Sequence, residues 1–88
     1  MSLATLDAYR TVALPWSDAA ARAAVAQAAY VLTIGGPARV VALAGKDDDG
    51  DDLVRVAPLD VERARPHFPN PTDAFVRVRD VRVLEPKR

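Results

Sequence analysis

The residues of this chain best suited to chemistry stand together in Gly45-Lys46-Asp47-Asp48-Asp49-Gly50-Asp51-Asp52. Five carboxylates on a glycine-flanked segment repel one another, and a hard cation such as Ca²⁺ or Mg²⁺ relieves that repulsion. Asp47, Asp49 and Asp51 are therefore the candidate metal ligands, for a weakly held ion if any. An EF-hand loop aligned on Gly50 would need an acid at position one and a glutamate at position twelve. Those positions are Gly45 and Val56, so the motif fails. A phosphate-binding loop ending at Gly45-Lys46 also fails. Val40 stands where its first glycine belongs, and Asp47 where its Ser or Thr belongs. No G-x-G-x-x-G occurs either. The simplest reading is a solvated Asp/Gly hairpin tip, which also discourages edge-to-edge aggregation.

Nucleophilic and metal-assisted catalysis find few residues to work with. His67 is the single histidine, Ser2 and Ser17 are the only serines, and there is no cysteine. Ser17 has a sufficient role as a helix cap, and His67 between Pro66 and Phe68 reads as a loop residue. Asp60 and Glu62 form a carboxylate pair that nothing singles out. No catalytic residue is assigned, and the reading leans away from an enzyme. Arg55, Arg77 and Arg79 fall on the polar faces of two strands and form one basic surface if those strands pair. Aromatic residues for base stacking are few there, Phe75 and Phe68, so nucleic acid is not the favoured partner. With Asp48 and Asp52, these arginines are candidates for an electrostatic interface.

Charge supports that idea. Formal net charge is zero, but residues 1–61 hold five basic and eight acidic groups, and residues 62–88 seven basic and four acidic. The halves, at −3 and +3, favour association of unlike ends, within the fold or between copies. Arginine outnumbers lysine ten to two and alanine is abundant, as in proteins from GC-rich bacteria. No apolar run reaches the ~20 residues of a membrane span, and the N-terminus has no signal-peptide pattern. These features, with the lack of cysteine, predict a cytoplasmic protein.

The 88 residues, half of them hydrophobic, make one domain of residues 1–88 with a thin stability margin. Residues 3–14 fit a helix or a strand, and Pro15 ends either. Residues 18–30 predict the clearest helix: Ser17 caps it, Trp16 staples it, and eight of its thirteen residues are alanine. Asp18 and Arg22 are spaced for an i,i+4 pair, and Ala21, Val25, Ala28, Ala29 and Leu32 form the packed face. Val31–Ile34 turns extended, and Gly35-Gly36-Pro37 reads as a turn. Residues 39–44, apolar on both faces apart from Arg39, predict a central strand covered on both sides. It forms a hairpin around the Asp run with Leu53–Ala57. Asp60 caps a helical turn over 61–65, and 66–71 is a stiff proline-rich connection. Phe75–Arg79 is a strand in which Val76 and Val78 point inward. A bulge or tight turn near Arg79-Asp80 keeps Val81 and Val83 on the same side, and 85–88 is a polar tail.

The fold class is thus α+β: one alanine-rich helix on a mostly antiparallel sheet of about four strands. An SH3-like barrel with an added helix is the alternative. The favoured function is a non-catalytic binding or adaptor domain, self-associating or binding a protein partner. A divalent-cation-responsive module using the loop 47–52 is one alternative. A nucleic-acid-binding accessory protein using the arginine face is the other.

Overall fold

The computed structural model describes residues 7–87. Six strands form one fully antiparallel sheet in the order β1-β6-β2-β3-β4-β5. These are β1 (Tyr9–Val12), β2 (Tyr30–Thr33), β3 (Gly36–Lys46), β4 (Asp52–Pro58), β5 (Ala74–Arg77) and β6 (Arg82–Pro86). Helix α1 (Asp18–Gln27) packs on β3, β4 and a 3-10 turn at Val78–Asp80, and a single helical turn, α2 (Val61–Ala64), follows β4.

The four-strand sheet predicted from sequence is therefore wrong in its count. β1 has only four residues, too few for alternation to separate a strand from a helical turn. It pairs with β6, which pairs with β2 on its other side, while β2 itself forms a local hairpin with β3. Among the described residues the edge strands β1 and β5 do not pair, so the sheet stays open. Leu3 and Leu6, part of the helical pattern read near the N-terminus, lie outside the described residues. No helix among the described residues is long and apolar enough to cross a membrane.

Ser17 does cap α1, its Oγ accepting from the Ala20 N–H at 3.1 Å. The helix stops at Gln27 rather than continuing to residue 30, because the backbone turns extended at Ala28. Ala21 and Val25 are buried and Ala28 is half-buried, whereas Ala29 is exposed. Trp16 does not act as a staple, since it is fully exposed. Arg22 does not pair with Asp18. It leans instead to Asp52, with Nη1 3.5 Å from Oδ1.

The core lies between α1 and the inner face of the sheet. Val25, Val31, Val54 and Val56 are wholly buried. β3 is central but not covered on both sides along its length. Val41 and Leu43 are each 40% exposed. The register against β4 shifts between Val40 and Ala42, a bulge that re-aims the outer half of the strand. A second shift lies between Leu43 and Lys46, with Gly45 at φ 83° supplying the left-handed residue such an irregularity uses. Below it, Thr33 and Gly36 close the β2–β3 hairpin around Ile34-Gly35, one residue earlier than the predicted turn. The Thr33 hydroxyl donates to the Gly36 carbonyl at 2.8 Å and accepts from the Gly35 N–H at 3.0 Å. At the far end, Val78 begins the 3-10 turn and Val81 follows it. The tight turn, not a bulge, keeps Val76, Val78, Val81 and Val83 buried together.

Candidate functional site

The hairpin between β3 and β4 carries the Asp run at its tip, as its composition predicts. Asp47 organises the tip. Its Oδ1 accepts from the N–H groups of Asp49 and Asp51, both at 2.9 Å. Its backbone N–H donates to the Asp51 carbonyl, and the Gly50 N–H to the Asp47 carbonyl. The loop is thus an Asx-type turn built by one carboxylate, with Gly50 at φ 82° completing the reversal.

The second Asp47 oxygen faces Arg77. Arg77 Nε donates to Asp47 Oδ2 at 2.8 Å and Nη2 to Asp49 Oδ2 at 3.3 Å. Asp51 lies 3.7 Å from Arg77 Nε and 3.2 Å from Arg79 Nη2. Asp52 is held by Lys46 Nζ at 3.1 Å and by Arg22. Asp48, exposed like Asp49, is the one of the five that makes no ion pair among the described residues. The attraction between acidic and basic halves is therefore satisfied within the fold. The Asp51 N–H first, then Arg77, holds the Asp47 carboxyl below its ordinary range. Lys46 does the same for Asp52. Reciprocally, Asp47 raises Arg77.

Asp47, Asp49 and Asp51 each place an oxygen within 4.8 Å of the others, the spacing a hard cation needs. The Arg77 and Arg79 guanidinium groups already sit against that cluster, so an ion would compete with them. Arg55 and Arg77 do lie on one face, since β4 and β5 pair with Arg55 opposite Phe75 and Leu53 opposite Arg77. Yet Arg55 is bound in a two-pronged contact by Asp73, at 2.6 and 3.0 Å, which lowers the Asp73 pKa and raises that of Arg55. Each of the three arginines thus has its own carboxylate.

Sequence reasoning missed the feature that remains open, the free edge of β5. Two clefts of about 530 and 300 Å³ run beside it, sharing Phe68, Pro69 and Phe75. Ile34 and Phe75 stand at its rim, 70% and 57% exposed. Phe68, buried at 9% exposure, packs over Gly35 and Ala64. His67 lines the larger cleft and is exposed. The available signal was Phe75 itself, a large apolar residue at an outward strand position. A further groove, about 480 Å³, separates α1 from β1 and β6, with small side chains such as Ala24 and Ala28 in its wall.

The chain matches no family model, no curated protein and no solved structure.

Proposed function

We propose that this protein is a non-catalytic, self-associating binding domain, working in a bacterial cytoplasm, and that it associates through the β5 edge. The observation that carries this reading is that β5 ends the sheet, pairing only with β4, beside exposed Ile34 and Phe75. Sheet edges of this kind are templates for strand addition, main-chain hydrogen bonds supplying affinity and flanking apolar side chains supplying selectivity. The charged loop does a different job in this account: it ties the β3–β4 hairpin to the end of β5 and so stiffens the edge. The cytoplasmic setting rests on composition, arginine and alanine richness with no cysteine. Absence of catalysis rests on the residue inventory, because Ser17 is spent as a cap and His67 sits in an open loop. A concentration series in sedimentation velocity tests the reading. A mass that rises with concentration supports it, and an invariant monomer contradicts it.

A further inference from the structure

The sequence around β5 is self-complementary about its own centre. Asp73 and Arg77 lie two residues before and two residues after Phe75, and Ala74 and Val76 flank it. In an antiparallel pair centred on Phe75, directly opposed residues share a face. Phe75 then meets Phe75 of a second copy, Ala74 meets Val76, and Asp73 meets Arg77. Faces agree as well: Ala74 and Val76 are buried on the inner side, whereas Phe75 is exposed on the outer side with Arg77 half-buried.

We infer that two copies of this chain join their sheets through β5 in this register, a two-fold pair with Phe75 on the axis. The inference rests on the self-association reading above and adds the partner surface and the alignment. Four observations support it. β5 is the last strand of the sheet, pairing only with β4. Open clefts lie beside it, lined also by Ile34, Phe68 and Pro69. The ring placed on the axis is large, apolar and 57% exposed. Finally, the charges match. Arg55 holds Asp73, and Arg77 holds Asp47, on the same face. Joining the copies creates the alternating row Arg55, Asp73, then Arg77 and Asp47 of the second copy, twice over by symmetry. Both carboxylate oxygens of Asp73 can accept more than the one bond each takes from Arg55. Among the described residues Arg77 Nη1 donates to no acceptor, leaving it free for that contact.

A four-residue strand pair is small against the roughly 1,200 Å² that stable interfaces bury. The pair therefore dissociates on dilution. Centring the pair on Val76 instead would set Phe75 against Arg77 and lose the ring-on-ring contact, with Asp73 facing Arg79. The Phe75 centre alone combines the ring-on-ring contact with Asp73 facing Arg77.

The chain has no cysteine, so a single introduced thiol reports the register. Phe75→Cys places two thiols on the axis, where directly opposed Cβ atoms stand about 4.5–5.5 Å apart. Ala26→Cys, on the exposed side of α1, is the control. Both variants are oxidised mildly at millimolar protein, beside sedimentation of the unmodified chain. Fast disulfide dimer for Phe75→Cys, at least tenfold faster than for Ala26→Cys, supports the register. Self-association of the unmodified chain with equal cross-linking rates overturns the register while leaving self-association standing. A unmodified chain that stays monomeric at millimolar protein, with equal cross-linking rates, overturns both.

Discussion

Replacing Gly35 by alanine probes the turn that supports the β5 cleft. The new Cβ would stand 2.6 Å from Phe68 Cε2 and 3.1 Å from the Ala64 Cα. Carbon atoms pack best at about 3.5–4.0 Å, so the ring must retreat by roughly 1 Å. It has little room, because Phe68 is 9% exposed and Ala64 wholly buried. Overpacking of this type costs about 1–3 kcal/mol. Gly35 does not have a positive φ, so alanine also loses less chain entropy on folding, a gain of about 0.4–1 kcal/mol. The net is a destabilisation of about 1.5 kcal/mol, which for a chain this short lowers Tm by roughly 6–12 °C. Thermal unfolding followed by circular dichroism measures it. Phe68→Leu in the same background makes room for the methyl, so the two substitutions together should cost less than their separate effects added. A Gly35→Ala protein as stable as the parent, or more so, would refute the packing of Phe68 over the turn.

Acid and metal probe the charged tip. Asp47, Asp52 and Asp73 all have carboxyl groups held below the ordinary value of 3.8. Folded groups of that kind bind protons less readily than unfolded ones, so their contribution is fully present above about pH 4. It disappears as pH falls through their lowered values, and stability should decline on that acid limb only. Asp47→Asn keeps the acceptor for the Asp49 and Asp51 amides but removes the anion facing Arg77, so the decline becomes shallower; an unchanged acid limb would contradict the Asp47–Arg77 contact. Calcium or magnesium must compete with Arg77 for Asp47, Asp49 and Asp51, which confines uptake to millimolar ion. Arg77→Gln should tighten it in calorimetric titration, and micromolar binding by the parent would contradict that competition.

Local physics made much of this molecule legible from residues alone. Ser17 and Asp60 cap their helices because a short polar side chain before an apolar run has few better uses, and Asp60 Oδ1 indeed accepts the Arg63 N–H at 3.1 Å. The hairpin around the Asp run followed from two β-branched segments and a glycine-rich turn. The burial of four valines across a change of phase near Arg79 required some local irregularity, and a 3-10 turn provides it. What could not be read was decided at long range. β1 is too short to declare itself, and its pairing with β6 joins residues more than seventy positions apart. Trp16 is a staple by position, yet it is fully exposed. The partners of the candidate residues were equally hidden. Nothing local says that Arg77 reaches thirty positions back to Asp47, or that Asp73 takes Arg55. The free edge of β5 is a property of strand order, which a single sequence does not display.

The central claim is that this domain pairs with itself through a sheet edge. Sedimentation velocity on the unmodified 88-residue chain, from micromolar to millimolar protein, tests it most directly. The account predicts a mass rising from that of the 9.5 kDa protomer towards twice that value, with the rise weakened as salt screens the Asp73–Arg77 contacts. A single 9.5 kDa species throughout, at low and high salt alike, would contradict it.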